Sequence, residues 1–266
     1  MINDSEQWKL RERFNPDGSI LRQHQLRMLD MLKYFDSLCR ENGIRYWLSS
    51  GTCIGAVRHH GFIPWDDDAD VEMLREDYLK LLKIFKETEQ YVLQTKDNDP
   101  YYVAPYAKLR DKKSYIEEHG QDCNYNYRGI YVDIFVLEKS NGFLAYIYHR
   151  LMWKILMYGS NIENSSLAKS LFYLYKKTFY ASITIVRFLF GKIPGNKLIH
   201  TYGSGFYRNI RHMEDLFPLT YCEFEDSQFP IPGKYDSYLR GIYGDYMKLP
   251  DLDKIQPHIV KVKFLE

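Results

Sequence analysis

Apolar residues recur at helical spacing in three places along the chain. Between Ser19 and Asn42, Leu26, Leu29, Leu32, Phe35 and Leu38 share one face, with charges between them. The pattern predicts a helix that Gly43 closes. From Arg75 to Glu87, Tyr78, Leu81, Leu82 and Phe85 repeat the spacing, and Glu76 and Asp77 suit the positive end of the dipole. Tyr235, Tyr238, Leu239 and Ile242 give a third helix, stopped by Gly244. Short alternating or β-rich runs predict strands at Arg45–Ser49, Asp68–Met73, Tyr91–Thr95 and Gly129–Val136. Val103–Leu109 and Lys113–Glu117 read as a hairpin around Arg110-Asp111-Lys112. Residues Met1–Gly18 read as an arm ending in the turn Asn15-Pro16-Asp17-Gly18, and Phe229–Gly233 as a rigid extended turn. Mixed helices and strands without repeats predict an α+β fold.

The stretch from Gly142 to Phe190 breaks this pattern. Runs such as FLAYIYHRLMWKILMYG and SLFYLYKKTFYASITIVRFLFGK are apolar and aromatic, punctuated by Arg and Lys. Neither holds the ~20 uninterrupted apolar residues of a membrane span. Two readings stand: a helix pair packed on the domain, or an amphipathic pair in peripheral contact with the inner membrane face. We expect one domain over 1–266, its core at about 19–140 and 200–266, with a helical insertion at about 142–198.

Charge and cysteine usage narrow the class. The 266 residues carry 36 Lys and Arg against 35 Asp and Glu, which argues against a general nucleic-acid binder. Cys39, Cys53, Cys123 and Cys222 form no CxxC pair and read as free thiols of a reducing compartment. The N-terminus MINDSEQWKLRERF is too polar for a signal peptide, so a cytoplasmic location is expected, with peripheral membrane contact as an addition.

Candidate chemistry concentrates in Gly51–Met73, GTCIGAVRHHGFIPWDDDADVEM. Four carboxylates lie within five residues and repel one another unless cations neutralise them. Asp66 and Asp67 read as solvated turn residues. Asp68 and Asp70 alternate with Ala69, Val71 and Met73, which sets them side by side on one strand face. Such a pair suits Mg²⁺, or Mn²⁺, held by one or two carboxylates together with substrate phosphates. Ser50-Gly51-Thr52 precedes a short apolar helix, Cys53–Val57, and its backbone N–H groups can cradle a phosphate. Arg58 reads either as a surface residue or as a phosphate clamp. Adjacent His59 and His60 cannot share one face, which speaks against a two-histidine metal site. Asp133 is a lone acid in the strand GIYVDIFV, with Tyr131 and Phe135 on its face. Either an Arg or Lys neutralises it, or it is a third metal carboxylate. His258 reads as inert.

The segment GTCIGAVRHHGFIPWDDDADVEM resembles the signature of the LicD family, a GT(L)-G-x-x-R turn followed by IPWDDDxD. The likeness continues in GIYVDIFVLE and FPIPGKYDSYLRGIYGDYMKLP, while the aromatic helices match least. The resemblance implies a nucleotidyltransferase-like mixed β-sheet flanked by helices, with the aromatic helices as an inserted layer. It implies transfer of a phosphoryl-alcohol, phosphocholine above all, from a CDP-activated donor to a sugar hydroxyl of lipopolysaccharide, teichoic acid or another glycan; relatives move ribitol phosphate. Asp68, Asp70 and Asp133 are then the expected metal ligands. Gly51, Thr52 and Arg58 hold phosphate, and Asp67 or Asp133 accepts the acceptor's proton. With CDP-choline, the favoured donor, Trp65 and Tyr125, Tyr127 or Tyr131 are candidates for an aromatic cage. Cys53 stands where an aliphatic residue is usual, and its small size suits the turn. Two other readings remain: a nucleotidyltransferase releasing pyrophosphate, and a non-catalytic glycan- or membrane-associated subunit.

Overall fold

The computed structural model describes residues 3–118, 124–140, 142–160, 166–190, 197–206, 208–255 and 259–265; Cys123 and His258 lie outside them. The expected N-terminal arm is largely a helix, α1 (Asp4–Phe14), which buries only Leu10 and so carries little periodic signal. A capping box between Asn3 and Glu6 starts it. Helix α2 (Ile20–Glu41) begins at the Ser19 cap and ends before Gly43, whose left-handed φ of 60° favours glycine. Its buried stripe is Met28, Met31, Leu32, Phe35 and Cys39, whereas the expected Leu26 is exposed.

Strand β1 is reduced to Trp47–Leu48, and α3 (Ser50–Ile54) continues as a π-helical turn over Gly55–His59. Then follow β2 (Asp70–Leu74), α4 (Arg75–Ile84), β3 (Tyr91–Gln94), β4 (Ala107–Asp111), β5 (Ser114–Glu118) and β6 (Tyr131–Glu138). Helices α5 (Gly142–Ser160) and α6 (Ser166–Phe190) form the aromatic layer. The chain closes with β7 (Lys197–His200), β8 (Arg211–His212), α7 (Met213–Leu216), β9 (Thr220–Phe224), β10 (Ser227–Ile231), α8 (Tyr235–Tyr243) and β11 (Ile259–Phe264).

The fold is α+β, with a mixed sheet ordered β1-β2-β6-β4-β3 and β7 attached to the end of β6. Its centre is the parallel pair β2–β6, while β4 runs antiparallel to β6. One sheet face, Val71, Met73, Leu109, Val132 and Ile134, packs with the α2 stripe into the main core. The other face carries the polar chemistry.

Two expectations are corrected. β4 and β5 do not form a hairpin: β4 pairs with β3 and β6, and β5 pairs with β11. The Asp111 carboxylate takes the Lys113 N–H and the Arg27 guanidinium, and Gly129 crosses against the Asp111 carbonyl. A Cβ on Gly129 would lie 1.7 Å from that oxygen, so only glycine allows the crossing. Phe229–Ile231 is not a free turn but part of β10, paired with β9. Pro230 is tolerated there because the two-stranded ribbon has open edges.

The α5–α6 layer has its own apolar cluster, including Tyr148, Met152, Ile155, Phe172, Phe179 and Ile183. Arg187 fastens it to β6 through a two-pronged contact with Glu138, at 2.7 and 2.8 Å. Lys176 donates to the Pro100 carbonyl at 2.8 Å, and Tyr180 to the Val103 carbonyl at 2.6 Å. Burial lowers the Lys176 ammonium to about 8.

Candidate active site

The site is built by register. Asp70 on β2 is the partner of Asp133 on β6, and Asp133 is in turn the partner of Lys108 on β4. Three adjacent strands therefore present one rank of Asp, Asp and Lys on the face away from α2. Lys108 Nζ lies 2.8 Å from Asp133 Oδ1 and sits 3.3 Å above the Tyr131 ring. Of the two roles open to Asp133, ion pairing with a lysine is thus realised, and the same carboxylate also stands beside Asp70.

Asp68 lies in the extended segment just before β2 and not within the strand. Burial, followed by Asp68, Asp133 and Asp66, pushes the Asp70 carboxyl well above the usual range, and Lys108 opposes them. Asp66 is raised by burial, then by Asp68 and Asp67, with Arg58 opposing and Asp68 sharing a hydrogen bond. Asp66 is therefore not the solvated turn residue the sequence suggested. It belongs to the acidic group with Asp68, Asp70 and Asp133.

Asp67 turns elsewhere. Its Oδ2 accepts the Ile259 N–H at 2.8 Å and anchors β11, while its carbonyl meets His24 Nε2 at 2.9 Å. These bonds answer to its 5% exposure and set it apart from the group it was expected to join.

The turn before α3 serves the acids directly. A Cβ on Gly51 would come within 2.9 Å of Asp66 Oδ2, so glycine admits that carboxylate. Thr52 Oγ1 accepts the Asp70 N–H at 2.8 Å and fixes the start of β2. Ser50 holds a left-handed φ of 48°, a conformation costing about 1–3 kcal/mol for such a residue. Its side chain bonds Tyr243 of α8, whose hydroxyl is pushed up by burial and then by Asp70. Tyr243, itself nearly half exposed, thus borders the acids from the C-terminal segment, a place with no local sequence signal.

Arg58 is buried and commits its Nε and Nη1 donors to the protein. It donates through Nη1 to the Tyr246 carbonyl at 2.5 Å and through Nε to His59 Nε2 at 2.9 Å. These bonds strap Arg58 to the turn after α8, and its guanidinium stays close enough to Asp66 to oppose that group's upward shift. His59 passes the bond on, donating from Nδ1 to Gln7 at 2.6 Å. Burial, then Arg58, lowers its imidazole to about 3, so it stays neutral.

The expected aromatic cage does not assemble from the four named rings. Trp65 packs on Phe14 and His59, at 5.3 and 5.9 Å. Tyr131 is covered by Lys108 and by Arg110, 4.5 Å from its centroid, and Tyr125 packs edge-on to Tyr102. Tyr127 lines a separate cavity of about 310 Å³ with Tyr125 and Arg128. A different aromatic group flanks the acids. Phe135, two residues beyond Asp133 on the same face, packs against Tyr106 at 4.6 Å and Phe206 at 5.4 Å. Phe206 is half exposed.

Behind the acids lies Glu72, the next residue on the Asp70 face. It is fully buried and has four partners: Trp47 at 3.0 Å, His200 at 2.8 Å, Arg211 at 2.8 Å and the Tyr238 hydroxyl at 2.9 Å. Against the penalty of burial, Arg211 and then His200 hold its carboxyl down at about 2. These bonds tie β1, β2, β7, β8 and α8 into one frame.

The donor set suits a hard divalent cation, since the acids are crowded and the positive groups set against them are Lys108 at Asp133 and Asp70 and Arg58 near Asp66. Among the described residues, no three His, Cys, Asp or Glu side chains are spaced to hold an ion by themselves, so the expected trio Asp68, Asp70 and Asp133 is not a complete protein metal shell. One or two carboxylates with substrate phosphates would complete such a shell.

A profile of the family described as LicD/FKTN/FKRP, nucleotidyltransferase domain, matches residues 43–155, which include Gly51, Asp66, Asp68, Asp70, Lys108 and Asp133. The lipopolysaccharide cholinephosphotransferase LicD of Haemophilus influenzae is 32% identical over 92% of this chain and 98% of its own length. The human ribitol 5-phosphate transferase FKRP is 32% identical over 29% of this chain and 14% of its own. An uncharacterised protein of Rickettsia prowazekii, RP689, is 43% identical over 24% of each. Near end-to-end likeness to the first of these, together with the profile match across the acidic rank, places the chain in the LicD family.

Proposed function

We propose that this chain transfers a phosphoryl-alcohol, phosphocholine in the first place, from a CDP-activated donor to a sugar hydroxyl of a cell-surface glycan. The observation that carries the reading is the rank Asp70–Asp133–Lys108, joined by Asp68 and Asp66. The full-length likeness to a cholinephosphotransferase acting on lipopolysaccharide supports the choice of group and acceptor class.

Asp70 with one neighbouring carboxylate, Asp68 or Asp133, would hold Mg²⁺ or Mn²⁺ together with the donor's phosphates, and the ion when bound supplies Lewis-acid neutralisation of a diphosphate. Lys108, held against Asp133 and Tyr131, adds a fixed positive charge for phosphate oxygens. Ser50, Gly51 and Thr52 place backbone N–H groups beside the acids, where they can receive phosphate. The acceptor hydroxyl attacks the phosphorus bearing the alcohol, and cytidine monophosphate leaves. Asp66, which lies against Gly51 beside Asp68, replaces Asp67 as our candidate to take the hydroxyl proton, a role it can fill once the proton it shares with Asp68 has been released beside a bound cation. The half-exposed ring of Phe206 offers a face to a trimethylammonium group.

The family profile's nucleotidyltransferase description keeps a second reaction in view, transfer of the nucleotide itself. Product analysis separates them. With CDP-choline, an oligosaccharide acceptor and Mg²⁺, the proposal predicts cytidine monophosphate and a phosphocholine-bearing glycan. With CTP and a phosphoryl-alcohol, pyrophosphate release would support the alternative. A thermal-shift comparison of CDP-choline, CDP-ribitol, CDP-glycerol and CDP-ethanolamine ranks the donors.

A further inference from the structure

We infer that the outer face of the α5–α6 pair seats on the surface of an anionic lipid bilayer. Helix α6 has two apolar faces. Phe172, Phe179 and Ile183 point inward and are buried in the cluster shared with α5. On the opposite side Leu167, Leu171, Leu174, Ile185 and Phe188 follow one another at helical spacing, exposed by 68, 50, 58, 61 and 78%. A helix packed on a domain ordinarily turns polar residues outward, so a second apolar stripe marks a surface that something covers.

Helix α5 extends this face. Trp153 is half exposed, and Lys154 and Tyr158 line a groove of about 500 Å³ with Leu171, Leu174, Tyr175 and Thr178 of α6. The groove gives acyl chains a place to enter between the helices. No helix among the described residues is long and apolar enough to cross a membrane. The 25 residues of α6 lay down a footprint of about 37 Å.

Charge selects the occupant. Neither helix contains an Asp or Glu; of their basic residues Lys176 and Arg187 are turned to Pro100 and Glu138, while Arg150, Lys154 and Lys177 are exposed. A second copy of this chain would bring like charge against like charge, with no acid on either pair of helices to relieve it. An anionic leaflet supplies the opposite charge, and Trp and Tyr rings beside Lys suit its interface. This face is separate from the acidic rank, so the inference does not depend on the reaction proposed above.

The test is flotation of the full chain with vesicles of phosphatidylcholine alone, or with roughly one third phosphatidylglycerol. The wild type should float with the anionic vesicles, bind neutral ones at least tenfold more weakly, and release as salt is raised to about 0.5 M. A Leu171→Asp, Leu174→Asp double variant, altered only at exposed positions, should bind at least tenfold more weakly with an unchanged melting temperature. Failure of the wild type to float with anionic vesicles overturns the inference. So does a double variant that floats equally well, or a wild-type dimer in sedimentation that the double variant splits without lipid.

Discussion

Asp70 and Asp133 are paired positions on two neighbouring parallel strands, so the sheet backbone itself fixes how close their carboxylates lie. Thr52 locks one strand at its Asp70 N–H, and the Asp133 N–H donates to the Ala69 carbonyl at 2.8 Å. Like charges held this firmly cannot relax apart, and a cation or proton must compensate them.

The adjacent acids Asp66 and Asp67 should behave in opposite ways. Asp66→Asn should lower transfer by about 10²–10⁴-fold, the range for removing a positioned proton acceptor, with little change in melting temperature. Asp67→Ala removes the acceptor of the Ile259 N–H and should lower the melting temperature instead. Steady-state rates and thermal unfolding on the two variants check this contrast.

Glu72→Gln should be among the most destabilising single substitutions in the chain. It leaves buried Arg211 facing a neutral amide, and breaking a buried pair costs about 3–5 kcal/mol. Denaturant unfolding measures the loss. Because β2 carries both Glu72 and Asp70, transfer in the folded fraction should also fall.

The contribution of the buried histidines to stability should decline as pH falls below about 6.5, while the raised carboxyls of Asp66 and Asp70 act in the opposite sense. The His59 imidazole titrates near 3 in the folded chain but near its ordinary value once unfolded. Across that window the unfolded state binds the extra proton, so stability present above pH 6.5 is lost progressively toward pH 3. Burial lowers His24 and His200 in the same direction. His59→Gln should therefore remove this contribution, making unfolding free energy rise less steeply with pH between pH 4 and 6.5 than in the wild type, read by urea titrations.

Phe206→Ala should raise the KM for CDP-choline several-fold while changing kcat little, since an exposed cation–π contact is worth about 0.5–1 kcal/mol. CDP-glycerol, lacking the cation, should be insensitive to the same change.

The acids that stand alone in apolar strands were legible in the sequence. Asp70 and Asp133 each interrupt a β-rich run, and burial of a charge in such a run demands an explanation. Asp66 was not legible, because a turn residue has no periodicity to say which way it points. Glu72 shows its face by alternation, yet its partners His200, Arg211 and Tyr238 lie 128, 139 and 166 residues away. Lys108 sits in a short strand whose neighbours were misassigned, because the local pattern suggested a hairpin while the long-range pairing with β6 prevailed. Helix α1 carries no periodic signal for the opposite reason: one buried residue makes no stripe, and the Asn3–Glu6 capping pair is its local mark. The α5–α6 apolar runs were plain, but which of their faces is buried and which is exposed is a property of the packed chain.

The most direct test of the carboxylate site is the rate of cytidine monophosphate release from CDP-choline with Mg²⁺, measured on the wild type and on Asp70→Asn, with circular dichroism confirming the fold. The account predicts a loss of about 10²–10³-fold or more in the variant. Release at the wild-type rate by a folded Asp70→Asn protein would contradict it.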